Sequence, residues 1–268
     1  MKSMSRIILT VVVLAALLGG PKTCAENENK KGMSAQESWD GEMVQYGTMH
    51  EAIGQMQSEG RVSIDEVVQI PHFYGVAAVE KLKGEATFFD SNATVTTVSA
   101  EGRLEAVERA DLQATLLVGA YVPGWSEHPI EKDVHHSELD NVIQAKAAES
   151  GLDVTKPFIF TVDGEFSEVK FHVINGACPM HARLKRIEIP EESKPFEGEA
   201  QKISGRVVGI YAKDAVGKLT HPATSTHLHL IFKDEASHEM VTGHVERLGL
   251  IHGAILNLPL KAASNDSN

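Results

Sequence analysis

Four histidines fall within the twenty residues "THLHLIFKDEASHEMVTGHV" (226–245), two of them as His227-Leu228-His229. On a β-strand successive side chains alternate faces. His227 and His229 would therefore share one face, roughly 6–7 Å apart, with Thr226, Leu228, Leu230 and Phe232 on the other. "FKDEASHEM" is polar enough to turn the chain, and "VTGHVERL" can return antiparallel, bringing His244 beside the pair. Gly243, just before it, permits close backbone approach. Three neutral imidazoles with one open position form a ligand set of catalytic zinc, and imidazole also suits other divalent first-row metals. Spacing alone does not separate this reading from a histidine-bearing polar strand, because thirteen histidines make a His-x-His pair an ordinary coincidence. His238 falls in the expected turn and reads as solvent-facing. His135-His136 is the other dense spot, but adjacent side chains diverge, and a loop leading into a helix accounts for it.

The elements that must position these groups read as an α+β fold: predominantly antiparallel or mixed β-sheets with a few helices, in two packed lobes. "YGTMHEAIGQMQ" (46–57) has helical spacing at Met49, Ile53 and Met56, and "SIDEVVQI" (63–70) opens on an N-cap serine. From Phe73 to Val107, short β-prone runs separated by Lys-Gly, Asp-Ser-Asn and Glu-Gly predict a meander, and "ATLLVGAYV" (114–122) predicts a buried strand. A helix is expected from Ser137 to Glu149, with Ser137 as N-cap, Leu139, Val142 and Ile143 inward, and Gly151 as the stop. "FIFTVDGEFSEVKFHVIN" (158–175) predicts a hairpin turning at Asp163-Gly164. "GRVVGIYA", "STHLHLIF", "MVTGHVERL" and "GAILNLPL" complete a strand-rich C-terminal half, with "PEESKP" (190–195) as a hinge or long loop.

The N-terminus has a different logic. Lys2 and Arg6 precede an apolar run from Ile7 to Leu18 and then small and polar residues, the pattern of a secretory signal cleaved after Ala25. Residues 26–43 are expected as a flexible leader, 44–260 as the folded domain and 261–268 as a disordered tail. Cleavage removes three cations and no acids, moving the formal charge from −12 to −15. An exported protein this acidic is a poor binder of nucleic acid or anionic membrane. Cys178 then remains alone, so no intramolecular disulfide staples the fold, and a semi-buried thiol is the simpler reading than a nucleophile.

The segment "STHLHLIFKDEASHEMVTGHV" resembles the zinc-binding segment of the alpha-acetolactate decarboxylase family. "YGTMHEAIGQ", "LKGEATFFDSNATV", "KPFIFTVDGEFSEVKFHVIN" and "GRVVGIYA" resemble further family segments in the same order, covering most of residues 44–256. The resemblance implies His227, His229 and His244 as Zn²⁺ ligands and Glu85 as the catalytic carboxyl group beside the metal, with no organic cofactor. It implies conversion of 2-acetolactate, a small 2-hydroxy-3-oxo acid, to acetoin through a metal-bound enediolate. Export to the periplasm or extracellular space, no membrane association after cleavage, and room for a homodimer complete the expectation.

Two positions depart from the family pattern. Its substrate-holding arginine, before the Asp-Gly pair, is here Thr161. Its second active-site glutamate, near the C-terminus, has no counterpart in "LNLPLKAASNDSN". Lys170, Arg183 and Arg206 are candidate replacements for the cation. An exported metal-binding or ligand-binding relative without decarboxylase activity is the competing reading. A metal-assisted hydrolase ranks third, with no nucleophile or base motif to support it.

Overall fold

In the computed structural model, which describes residues 38–215, 218–220 and 224–261, the β-prone runs build two sheets. The first begins with β1 (Val44–Tyr46) and β2 (Val62–Ser63), followed by helix α1 (Ile64–Val67) behind Ser63 at its N-cap. It continues through β3 (Phe73–Val79), β4 (Glu85–Phe89), β5 (Asn92–Val98), β6 (Leu104–Ala106) and β7 (Gln113–Tyr121). β3 to β6 run as the antiparallel meander that the turn residues foretell. β7 crosses back, giving the order β1-β7-β3-β4-β5-β6, with β2 also paired to β7. β3 is buried along its whole length, and β7 everywhere but its two ends, as their near-continuous apolar runs require.

The second sheet holds β8 (Trp125–Pro129) and, after α2 (Leu139–Glu149), β9 (Phe158–Val173). Helix α3 (Pro179–Lys185) leads to β10 (Phe196–Tyr211), β11 (Thr226–Lys233), β12 (Met240–Leu250) and β13 (Ile255–Pro259). Its order is β10-β11-β12-β9-β13-β8, and β10 also pairs with β9. That extra pairing runs from Phe196 opposite Val173 to Tyr211 opposite Phe158, so β9, β10, β11 and β12 close on one another. The antiparallel, strand-dominated α+β architecture is the expected one, and the described residues fall in one compact unit.

Asp163-Gly164 does not turn. Phe158–Val173 is one 16-residue strand running straight through the pair. Asp163 stands opposite Arg206 and Gly164 opposite Gly205, so both flanks find their partners on β10 rather than on each other. Gly164 is needed there for a different reason: its φ is +153°, and a Cβ would lie 2.7 Å from that of Ala254. The long hairpin is instead β9 with β10.

The helices are shorter than the patterns suggest. The 46–57 stretch forms one π-type turn, His50–Gly54, with Met49 buried and Met56 exposed. α2 starts after a 3-10 turn, His136–Glu138, that places Glu138 rather than Ser137 at the N-cap. Leu139, Ile143 and Ala147 are buried on its inner face, and Gly151, at φ +78°, ends it as expected. Pro190–Pro195 carries a 3-10 turn, Glu191–Ser193.

Where the two sheets meet, β4 and β5 lie against β11 and β12. The Thr242 backbone N–H donates to Thr96 Oγ1 at 2.7 Å across this seam. Trp39 is buried and its backbone N–H donates to Leu260 O, so part of the stretch expected as leader packs on the last strand. The expected signal segment and the tail beyond Lys261 lie outside the described residues. Among the described residues no helix is long and apolar enough to cross a membrane.

Candidate metal centre and its cavity

β11 and β12 carry the histidines as the spacing predicts, with His229 directly opposite His244 and His227 one pleat along. All three are buried, and one ligand atom of each lies within 4.8 Å of the other two. Gly243 brings the strands close: a Cβ there would sit 2.8 Å from Phe171 Cδ2 on β9. His238 sits exposed in the connecting turn at φ +61°.

The outer nitrogens set the chemistry of the inner ones. His227 Nδ1 lies 3.0 Å from the Leu219 carbonyl, which can only accept, so the ring donates there and keeps the Nε2 lone pair. His229 Nδ1 is 3.1 Å from Thr87 Oγ1, which is itself 2.6 Å from Thr242 Oγ1. Where His229 Nδ1 donates to Thr87 Oγ1 and that hydroxyl donates on to Thr242 Oγ1, the lone pair of His229 lies on Nε2. Such outer hydrogen bonds fix ring orientation and tautomer in metal-ligating histidines.

β4 supplies the fourth group. Glu85 and Thr87 are two residues apart and share a face, so one strand of the first sheet delivers a carboxyl group and a hydroxyl to the histidines of the second. Glu85 Oε2 lies 3.6 Å from His229 Nε2, and Glu85 is 4% exposed. Burial pushes its carboxyl well above the usual range, and a hydrogen bond from the Ile174 backbone offsets only part of that rise. Burial therefore favours the protonated form of Glu85.

Glu85 and the three histidines border a small cavity of about 30 Å³ with apolar walls that include Met49, Ala78, Leu82, Leu116 and Ile174. Met49 comes from the short turn at His50–Gly54, which explains why that N-terminal segment belongs to the site. Cys178 also lines it, buried, and burial raises its thiol pKa, so the group is a protonated thiol rather than a nucleophile.

A fourth imidazole escaped the sequence reading. His172 on β9 stands directly opposite His244, with ring centroids 4.8 Å apart, and lines the same cavity. The only signal for it was the alternation of β9, and the expected turn at Asp163-Gly164 left the strand's partners unassigned. Its Nδ1 is 2.9 Å from Glu246 Oε1.

The candidate cations are all engaged elsewhere. Arg206 pairs with Asp163 and lies 3.7 Å above the Phe89 ring. Lys170 stands between Glu199 and Glu246, 3.7 Å from each. Arg183 binds both oxygens of Glu246, at 3.0 and 2.9 Å, and pairs with Glu197. None of the three lines the cavity. Thr161 is buried and accepts a hydrogen bond from Asn257 Nδ2 at 3.1 Å. His135 and His136 meet Glu168 Oε2 at 3.4 and 3.1 Å on the surface. His135 Nδ1 accepts the Ser137 N–H, which places the proton of the neutral ring on the nitrogen facing Glu168. That group is a carboxylate accepting from imidazoles and is complete as it stands.

A buried imidazole triad that could hold a metal ion lies beside a buried carboxyl group and a small cavity, at the seam of two antiparallel sheets. The family model for alpha-acetolactate decarboxylase matches residues 43–257, and the chain belongs to that family. It is an enzyme of the acetolactate decarboxylase type, a lyase with a small-molecule substrate. The crystal structure of alpha-acetolactate decarboxylase from Bacillus subtilis strain 168 superposes with a TM-score of 0.60 at 17% identity, covering 81% of this chain and 85% of that one. A Staphylococcus aureus protein of unknown function, similar to alpha-acetolactate decarboxylase, gives 0.58 at 15% identity with the same coverage. These likenesses support the fold. No curated protein matches the chain.

Proposed function

We propose that the enzyme converts 2-acetolactate to acetoin and CO₂ in this cavity, with Zn²⁺ held by His227, His229 and His244. The observation that carries the reading is the triad itself: three buried imidazoles converge, and two have their outer nitrogens hydrogen-bonded, as in metal-ligating histidines. A three-nitrogen donor set with an open position suits Zn²⁺. When bound, the ion supplies Lewis acidity to the ketone oxygen adjacent to the carbon that loses CO₂.

The remaining steps belong to the chain. Apolar walls exclude water and favour departure of the charged carboxylate as neutral CO₂. The electron pair of the broken C–C bond passes into the ketone, and the carbon that lost CO₂ then needs a proton. Glu85, raised by burial and lowered by a neighbouring cation, is poised to give that proton and take another from solvent.

The competing reading, a relative that binds metal without decarboxylating, is favoured by one observation: among the described residues no lysine or arginine lines the cavity, and Thr161 faces Asn257. Incubating zinc-loaded protein with 2-acetolactate separates the two. Acetoin well above the spontaneous rate supports the decarboxylase; one bound zinc with background acetoin supports the binder. Export belongs to the same proposal, resting on the Lys2–Ala25 pattern, and N-terminal sequencing of protein recovered outside the cytoplasm tests it.

A further inference from the structure

β11 carries both His227 and His229 but is not held evenly along its length. Its pairing with β10 runs from Thr226, opposite Tyr211, to Phe232, opposite Gly205. Its pairing with β12 begins only at Leu228, opposite Val245. His229 therefore has ladder partners on both flanks, whereas those of Thr226 and His227, among the described residues, lie on β10 alone. Side-chain packing does not make up the difference. A cavity of about 220 Å³ opens beside this end of the strand, bordered by Leu139 and Asp140 of α2 and by Thr226, Leu228 and His244.

Asp140, in the first turn of α2, spans the gap. One of its carboxylate oxygens accepts the Ser225 backbone N–H, and the other accepts the Thr226 hydroxyl at 2.7 Å. Successive strand residues point to opposite faces, so Thr226 is held from the helix side while His227 turns towards the triad. Thr224 adds a local brace: its hydroxyl donates to the Thr226 carbonyl and accepts the Thr226 N–H at 2.9 Å. Hydrogen bonds to a carboxylate are about twice as strong as neutral ones, so Asp140 is the firmer of the two anchors. The Leu219 carbonyl orients the His227 ring, and Asp140 fixes the backbone that carries it.

We infer that Asp140 is a positioning residue of the imidazole triad: by fixing the start of β11 from the helix side, it sets where His227 stands relative to His229 and His244. It touches neither ion nor substrate and acts through the backbone of Ser225 and the side chain of Thr226. Ligands of a metal site must be held to within about 0.5 Å, so freeing this end of the strand weakens ion binding. That the ion is Zn²⁺ rests on the function proposed above.

The test titrates Zn²⁺ into the full-length chain against a competing chelator, under conditions where circular dichroism shows each variant folded. Asp140→Ala should weaken zinc binding by about tenfold. Thr226→Val, which removes one of the two donors, should weaken it by about threefold. Asp140→Asn, whose amide carbonyl still accepts, should lose less than Asp140→Ala. Ile143→Val is the control: Ile143 is buried on the same helix, and loosening its packing should leave zinc affinity within about twofold of wild type. Unchanged affinity in Asp140→Ala overturns the inference, as does an equal loss in Ile143→Val, which would reduce Asp140 to general support of the fold. Should Asp140→Ala not fold, Thr226→Val and Asp140→Asn decide by the same two criteria. A wild type that takes up no zinc removes the metal reading and this inference together. Zinc uptake with the expected order of variants but only background acetoin from wild type removes the decarboxylase reading and leaves this one standing.

Discussion

Glu85 is buried and Glu246 half-buried, and their surroundings drive the two carboxyl groups in opposite directions. Burial would raise Glu246 as well, but hydrogen bonds from His172 and Arg183, with their charges, hold it at about 2 against an ordinary 4.5. A carboxylate depressed on folding stabilises the fold above its unfolded pKa and loses that contribution as pH falls towards its folded value. Glu246 should therefore contribute about 2 kcal/mol, after allowance for solvent at its rim, that vanishes between about pH 4.5 and pH 2. Urea midpoints at pH 6 and pH 3 for wild type and Glu246→Gln measure it; equal pH slopes in the two would contradict the assignment. Glu85 has the opposite sign. It is neutral in both states below its ordinary value, so metal-free protein should lose stability as pH rises above that value, and added zinc should reverse the loss. For turnover, Glu85→Gln should keep zinc and lower kcat by about 10²–10⁴-fold; a kcat within threefold of wild type would remove Glu85 from the proton step. At this scale the triad was legible because two-residue alternation and one return strand place three imidazoles together. Glu85 needed the family resemblance, since nothing local distinguishes it from an exposed edge glutamate.

At the scale of elements, one strand couples the two sheets at the imidazole triad. β4 sends Glu85 to the inner nitrogen of His229 and Thr87 to the outer one, and Thr87 also meets Thr242 on β12. Thr87→Val keeps the shape and deletes the bridge. It should cost about 1–3 kcal/mol through unpaired buried groups and weaken zinc binding by about 10–100-fold. Thermal melts and competitive chelator titration read the two effects, and unchanged zinc affinity would show that Thr87 only packs. Strands with strong turn signals between them, β3 to β6, were readable from the chain alone. β9 was not: Asp163-Gly164 is a genuine turn signal locally, and only the full-length partner β10 overrides it. For the same reason His172 could not be placed, because its meaning depends on which strand lies beside it.

Across the whole molecule, stability and metal should be linked. The triad comes from β11 and β12 and Glu85 from β4, so unfolding scatters them, and an ion bound only by the folded state would raise stability by mass action. Removing zinc with a chelator should lower the unfolding temperature, and readdition should restore it; identical melts would mean the triad is not a resident metal site. The alternation and turn residues foretold an antiparallel α+β fold. The closure of β9 to β12 on one another was hidden, because closure is a relation among strands far apart in sequence. The central claim is that the three converging imidazoles hold the metal that makes this cavity a decarboxylase. It is tested most directly by elemental analysis and acetoin formation on the same preparations of wild type and His229→Ala. The account predicts one zinc per chain with acetoin well above the spontaneous rate for wild type, and neither for folded His229→Ala. Zinc and turnover that survive the substitution would contradict it.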